Sequence, residues 1–393
     1  MTSCCPLGRT ARAAALALAT ALVTWAATAA AGDDNVIVSG SVYVDYWGID
    51  QRDVRTRAPR SVSPDASLKV QVDIHDDLAF SAKACFSCHG IDLEHAHLDY
   101  TPKTWFNLQV GRIAVPFGEY ANRVDPSGHK TASAPLIYDM GRMAYGEKNS
   151  MNLGVIPQPY SDTGALLYGV TWLGESVQVW YGLYGVAGMR GSNDLDFTSL
   201  RTVYYTDNND QPAGGARVAF TVSSDGKGFF GDVSVGASAT GGRYDRAAKL
   251  EYVAVGADAS MKLGPFTLRG EYATRRTDVD TSASGYKWAI VDPFVVKEGW
   301  YAEIEHPLGK RLDLVYRYDE LRRKGVPLPG PSTLTPESLL VRYTAGLVLT
   351  PAQAVYVKLA WEYWTDETMI GTPAGTTPFQ DFNSVHLGFG GAF

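Results

Sequence analysis

Apolar and polar residues alternate with a period of two along most of this sequence. In the stretch 354–364, AVYVKLAWEYW, every second residue from Val355 to Tyr363 is apolar, whereas Lys358 and Glu362 lie between them. A strand with this pattern has one apolar and one polar face, because successive side chains point to opposite sides. Similar alternation occurs in the stretches 36–44, 67–74, 176–183 and 311–318. The pattern predicts an all-β protein, and 40 glycines and 22 tyrosines fit that class.

The alternating runs and the turn residues between them predict sixteen strands. These are 35–47, 67–75, 78–84, 91–100, 104–113, 163–173, 176–187, 214–224, 228–242, 249–263, 265–278, 295–306, 311–323, 337–349, 353–366 and 381–393. Tight turns follow even-numbered strands, and the long connections mostly follow odd-numbered ones. An even strand number, with short turns at one end and long loops at the other, is typical of bacterial outer-membrane barrels. The predicted fold is a transmembrane antiparallel β-barrel of about 16 strands.

A soluble sandwich or barrel would alternate in the same way, and two features favour the membrane barrel instead. Many apolar faces end in Tyr or Trp, as in the aromatic girdles of outer-membrane barrels. The chain ends in SVHLGFGGAF, which places Leu387, Phe389 and the terminal Phe393 on one face. A last strand that ends in phenylalanine resembles the assembly signal of such barrels. We therefore expect the protein in the bacterial outer membrane.

The N-terminus has the features of an export signal. A positively charged segment precedes an apolar run that ends at Ala29-Ala30-Ala31, which fits a signal-peptidase site. We expect residues 1–31 to be a cleaved signal peptide and residues 32–393 to form the barrel. The net charge is −7 without a basic stripe, which argues against a nucleic-acid partner.

The predicted inner faces carry charges of both signs. We predict a hydrated lumen, because an unpaired charge in a dry interior is costly. With both signs present, strong ion selectivity does not follow. The inward charged residues are Arg217, Arg269, Glu271, Glu303, Glu305, Asp313, Arg317, Arg342, Lys358 and Glu362.

The stretch LQVGRIAVPFGEY (108–120) resembles a segment of the phosphate-selective porin superfamily. The likeness is carried by Gly111, Arg112, Pro116, Phe117 and Gly118. In that family the strand runs into a loop that folds into the channel, so the resemblance implies a constriction or lid at 114–162, with a surface loop as the alternative. The family's phosphate selectivity rests on rows of basic residues, and this chain has no comparable row. The resemblance also implies a homotrimer.

The segment KACFSCHG (83–90) contains the haem-attachment spacing C-x-x-C-H at 85–89, between predicted strands three and four. Cys85 and Cys88 would each form a thioether to a haem vinyl group, and His89 would bind the iron. The motif thus predicts one covalent haem c. Three alternatives stay open: a Cys85–Cys88 disulfide, a zinc or copper site with His95 and His97, or a motif that is never matured.

A haem iron held by His89 has a second axial position. His95 and His97 share one strand face, which we expect to point into the lumen, so both are candidate distal ligands. Simple lining of the wall is the alternative for both histidines. His129, Met140 and Met143 in the long loop are weaker candidates.

A barrel that carries a haem motif resembles the fused cytochrome–porins, in which the haem segment usually precedes the barrel. The resemblance implies electron transfer across or at the outer membrane, with a periplasmic or extracellular redox protein as partner. The alternative function is a passive porin for small hydrophilic solutes, in which Cys85 and Cys88 form a disulfide or metal site. A surface receptor for haem or metal is a third interpretation, although no segment resembles the plug domain of such receptors. The sequence contains no catalytic constellation, so we do not expect an enzyme.

Overall fold

The structure is a computed structural model. It describes residues 35–50, 60–87, 90–138, 144–145, 149–150, 154–191, 207–224, 229–282, 293–324, 338–366, 369–372, 375–378 and 381–393. The predicted signal peptide lies outside these residues, as do Cys88, His89, Met140 and Met143. No helix in the described ranges is long and apolar enough to cross a membrane.

Sixteen strands, numbered β1 to β16 in chain order, form one closed barrel. The first eight are Val36–Ile49, Arg60–His75, Leu78–Ser87, Gly90–Lys103, Phe106–Ala114, Ser161–Leu173, Val177–Val186 and Ala213–Val222. The last eight are Phe230–Arg243, Glu251–Leu263, Phe266–Asp278, Phe294–Pro307, Leu312–Lys324, Ser338–Ala352, Val355–Asp366 and Phe382–Ala392. The predicted number of strands and the antiparallel barrel are therefore confirmed.

Each strand pairs antiparallel with its neighbours in the sequence, and β16 closes the barrel against β1, from Ser41 opposite Ala392 to Ile49 opposite Ser384. The second strand is longer than predicted. It begins at Arg60 rather than at residue 67, because β1 pairs with it as far as Gly48 opposite Arg60.

The connections divide between the two barrel ends as predicted. Short turns follow even-numbered strands, for example at Asp76-Asp77 and Gly264-Pro265. The long connections follow odd-numbered strands, and the longest, residues 115–160, joins β5 to β6. The β3–β4 connection is an exception at the long-loop end, since Ser87 pairs directly with Gly90.

Apolar side chains cover the outside of the barrel. Leu183 is 62% exposed, Val253 55% and Leu359 47%, each on the outward face of its strand. Outward aromatic rings pack on one another, as in the pair Tyr318 and Tyr343 with ring centroids 5.2 Å apart. Such a surface is stable only against lipid, because so many exposed apolar side chains around the barrel would be costly in water. The strands therefore span a membrane.

Residues 115–160 are called here the constriction loop, and their described parts 115–138 and 154–160 fold into the barrel. The loop contains a short 3₁₀ helix, Tyr120–Arg123, and a hairpin of Ala144–Tyr145 with Asn149–Ser150. A second short hairpin, Met369–Thr372 with Gly375–Pro378, follows β15. Apolar loop side chains such as Phe117 and Ile137 are fully buried in one cluster with Tyr252 and Tyr301 of the wall. The described loop residues thus lie inside the barrel, as the constriction interpretation requires, while a role as constriction or lid stays a prediction.

Candidate functional site

The sharp turn at Phe117-Gly118 directs the constriction loop into the barrel. Gly118 has φ +72°, and a Cβ there would overlap the side chains of Glu271 and Tyr138. The Gly118 amide donates a hydrogen bond to Ser238 Oγ of β9 at 3.1 Å. The Tyr138 hydroxyl donates to the Glu271 carboxylate. Because only glycine fits this conformation and this space, the glycine of the PFG motif fixes where the loop enters the lumen.

Lys358 on the inner face of β15 binds the loop backbone. Its ammonium group donates to the carbonyl oxygens of Pro126 at 2.6 Å, His129 at 2.6 Å and Thr131 at 3.0 Å. The three donors of the lysine are thereby used. Lys358 therefore holds six successive loop residues against the wall.

Two arginines of the neighbouring strands continue this contact. Arg317 of β13 donates to Thr131 Oγ1 at 2.7 Å and to the Ala134 carbonyl oxygen at 3.1 Å. Arg342 of β14 also donates to the Ala134 carbonyl oxygen, at 2.5 Å, and pairs with Asp319 at 3.1 Å. Both arginines are almost fully buried. Their charges are satisfied by the loop and by wall carboxylates instead of by water.

Part of the inward charge, which was predicted to line a hydrated lumen, is thus paired with the loop. The residues do point inward, but Glu362 is fully buried and accepts hydrogen bonds from Ser133 and Ser384. Lys130 of the loop pairs with Asp313 at 2.5 Å. A buried charge is tolerated when it is paired and hydrogen-bonded, and the loop supplies those partners.

The inner wall of β2 to β6, called here the open wall, is less covered by the loop. Several of its inward side chains are part-exposed and polar, although Lys83, Glu94, His97 and Arg112 of the same wall are buried. Tyr168 donates to both carboxylate oxygens of Asp99, at 2.9 and 3.1 Å, and Gln109 donates to Asp99 at 3.1 Å. The part-exposed inward residues include Lys69, Gln71, His95, Asp99, Gln109 and Tyr168. Water therefore reaches the lumen along this side.

The described part of the haem-motif segment, Cys85 to Ser87, lies at the end of β3. The prediction placed all of 85–89 between two strands, which is wrong for Cys85, since β3 continues to Ser87. Pairing of Cys85 with Asp92 and of Ser87 with Gly90 extends the ladder to the tip. Cys85 is half-buried on the inner face, beside Glu94. Cys88 and His89 are outside the described residues.

Cys85 belongs to a polar cluster that reaches the constriction loop. Its thiol donates to Glu94 Oε2 at 2.9 Å, and the same oxygen is 2.8 Å from Lys83 Nζ. Lys83 also pairs with Asp125 of the loop at 2.6 Å. The register between β3 and β4 shifts between Lys83 and Ala84, which brings Glu94 into this cluster as an extra inward residue. Plain alternation cannot reveal such a bulge.

His95 and His97 lie on the inner wall, as predicted. Their ring centroids are 5.1 Å apart, and His95 Nε2 is 3.3 Å from Ser81 Oγ of β3. His129, a weaker candidate, is buried in the constriction loop, where its Nδ1 is 3.0 Å from the Arg123 carbonyl oxygen. Burial and the nearby Lys358 ammonium hold the pKa of His129 well below its usual range. His129 is therefore part of the packing inside the constriction loop, whereas His95 and His97 lie on the inner face of β4.

Solved structures of other proteins share this architecture. An anion-selective porin from Comamonas acidovorans matches with a TM-score of 0.58 and 11% identity, covering 91% of this chain and 99% of that one. OmpF of Salmonella typhi, in complex with daunomycin, matches with a TM-score of 0.53 and 12% identity. The match covers 91% of this chain and 98% of that one. OmpT of Vibrio cholerae, in vitro folded and in trimer form, matches with a TM-score of 0.52 and 11% identity. The match covers 91% of this chain and 99% of that one.

The fold is that of the outer-membrane porins. The likeness confirms the predicted outer-membrane barrel. No protein-family profile matches the sequence. No curated protein matches it either. The resemblance to the phosphate-selective porins and to the cytochrome–porins therefore stays a prediction.

Proposed function

We propose that this protein is a channel of the bacterial outer membrane that passes small hydrophilic solutes. Solutes would move along the open wall and past the constriction loop. The observation that carries the proposal is the uneven coverage of the lumen: the loop pairs with the buried charges of β13 to β15, whereas inward residues of the open wall such as Gln71 and Gln109 stay part-exposed. A fixed loop on one side leaves a polar passage on the other.

The charges along this passage predict weak ion selectivity. Lys69 and Asp99 both face inward and are part-exposed on the open wall. Several inward arginines that would favour anions are paired with carboxylates, as Arg217 is with Asp258 at 2.5 Å. A passage with accessible charges of both signs does not strongly favour either one.

Single-channel conductance in a planar bilayer tests this function. We expect steady conductance and a reversal potential near zero in a salt gradient. A tryptophan in place of Gln109, which points inward, should lower the conductance, whereas Val110→Trp should not, since Val110 faces lipid and is 49% exposed. A folded protein that conducts no ions, or equal conductance of both variants, would refute the passage. Cross-linking in detergent tests whether the chain forms the proposed homotrimer.

We propose in addition that residues 85–89 carry one c-type haem. Support comes from the inward position of Cys85 on β3 and from His95 and His97 on the inner face of its partner strand. Cys85 and Cys88 would hold the porphyrin through thioethers, His89 would bind the iron, and His95 or His97 would complete the coordination. Thiols and neighbouring imidazoles are the residue types that attach a covalent haem and bind its iron. A haem there would supply one-electron exchange with a periplasmic or extracellular redox protein.

Haem staining of the denatured protein tests this second proposal. A thioether-linked haem stays on the polypeptide through denaturation, so the band should show peroxidase activity. The matched control is the double variant Cys85→Ser/Cys88→Ser, which should be blank. A blank wild-type band would refute the haem, and a count of free thiols with and without reductant would then distinguish a disulfide from two free cysteines.

A further inference from the structure

Two neighbouring imidazoles on the open wall form a pair that the channel fold does not require. His95 and His97 are two residues apart on the inner face of β4, and their ring planes are inclined at 43° with centroids 5.1 Å apart. His97 is only 9% exposed, and its ring interacts with the Arg112 backbone without a well-formed hydrogen bond at Nδ1. A buried polar atom without a well-formed hydrogen bond is costly, so this nitrogen would gain from a ligand.

The ring spacing agrees with shared coordination of one metal ion. Imidazole nitrogens bind zinc at about 2.0–2.1 Å, which places each ring centre roughly 3 Å from the ion. With a tetrahedral angle at the ion, two such centres lie about 5 Å apart. The centroids of His95 and His97 already have this separation. Rotation of the two rings would have to bring one nitrogen of each toward a common ion.

From this geometry we infer that His95 and His97 bind a divalent transition-metal ion of the zinc, copper or nickel class. Imidazole nitrogen prefers these ions, whereas calcium and magnesium require oxygen ligands. Within the described ranges no group of three or more His, Cys, Asp or Glu side chains is arranged to hold a metal. Two protein ligands leave the other coordination positions to water or to Ser81 Oγ, which lies 3.3 Å from His95 Nε2.

The charges around the pair make this an exchangeable site. Lys69 interacts electrostatically with both imidazoles and Lys83 with His95, whereas Asp99 interacts with His97. Two ammonium groups oppose the entry of a dication and one carboxylate favours it, so the affinity should be moderate. Because His95 is part-exposed to the lumen, an ion on its way through the proposed channel can reach the site.

Zinc titration of the detergent-folded protein by calorimetry tests the site. The titration uses the thiol-free variant Cys85→Ser/Cys88→Ser, which removes any haem or thiolate site. We expect one zinc ion per chain, and His95→Gln or His97→Gln should each weaken binding by about tenfold or more, since a chelating ligand is lost. The matched control, His306→Gln, lies near the short-turn end of β12 and should bind zinc unchanged.

Three outcomes would overturn the inference. These are zinc binding that survives both His95→Gln and His97→Gln, zinc binding that is lost in the thiol-free variant, or a copper electron-paramagnetic-resonance spectrum with one nitrogen ligand instead of two. Resistance of the folded barrel to unfolding by detergent shows that each variant has the native barrel.

A conductance measurement then links the site to transport, and this step rests on the proposed channel function. Zinc should lower the conductance of the thiol-free channel, and His97→Gln should abolish that inhibition. A protein that binds zinc in calorimetry but forms no pore would overturn the channel and leave the metal site standing. Unchanged conductance in zinc, in a protein that does form pores, would show that the ion does not bind in the solute path.

Discussion

Replacement of Lys358 by methionine should release the constriction loop from the barrel wall. Methionine has a similar length and no donor, so the carbonyl oxygens of Pro126, His129 and Thr131 each lose a hydrogen bond. Hydrogen bonds to a charged group contribute about 1.5–3 kcal/mol each. Removal of the buried ammonium recovers part of its desolvation cost, so we expect a net loss of about 3–5 kcal/mol in loop docking.

A loss of this size raises the population of the undocked loop by roughly a hundredfold to a thousandfold or more, since 1.4 kcal/mol corresponds to tenfold. Single-channel recording measures this directly, because an undocked loop should give larger and noisier openings. Lys310→Met is the matched control, as Lys310 lies in an exposed short turn. Wild-type conductance and noise in Lys358→Met, with an intact barrel, would refute the reasoning.

Three further perturbations act on the same loop. Lys83→Met should loosen Asp125 by only about 1 kcal/mol, since that carboxylate is 40% exposed, and should increase proteolysis near residue 125. Gly118→Ala should cost about 1–2 kcal/mol for its φ of +72°, besides the overlap with Glu271, and should lower the urea midpoint of unfolding. Burial in the docked loop lowers the pKa of His129. Below about pH 6.5 the His129 imidazole of an undocked loop therefore takes up a proton, whereas that of the docked loop stays neutral. Docking should therefore weaken as pH falls, and conductance should rise in the wild type but not in His129→Gln.

Each of these predictions has its own contrary result. Proteolysis of Lys83→Met at the wild-type rate would show that the Asp125 pair does not hold the loop. An unchanged urea midpoint in Gly118→Ala would mean that the turn can relax without glycine. The same rise of conductance at low pH in the wild type and in His129→Gln would assign the effect to another titrating group.

The inward and outward faces of the strands could be predicted because they depend on neighbouring residues alone. Period-two alternation separates Leu359 and Trp361 from Lys358 and Glu362 wherever the strand lies in the barrel. Alternation with His95 and His97 inward would place Glu94 on the outer face. The register shift between Lys83 and Ala84 turns Glu94 to the inner face instead. A bulge of this kind depends on pairing with another strand, which no local period encodes.

The candidate site could be predicted only in part for a similar reason. The sequence identified His95 and His97 as lumen-facing and the segment after Gly118 as a constriction. It could not show that the two imidazole rings lie 5.1 Å apart, because that spacing depends on side-chain orientation as well as on the strand period. The extension of β3 through Cys85 was also missed, since pairing with β4 decides where the hairpin ends.

The sequence by itself determined the barrel, its even number of strands, the end at which the long loops lie and the side of the wall that most strand residues occupy. These properties follow from alternation and turn chemistry within a few residues. Only the tertiary structure decided how the lumen is filled, because its contacts join residues far apart, as Ser133 and Glu362 are by 229 positions. The inward charges of β13 to β15 are paired with a loop whose path no local pattern contains.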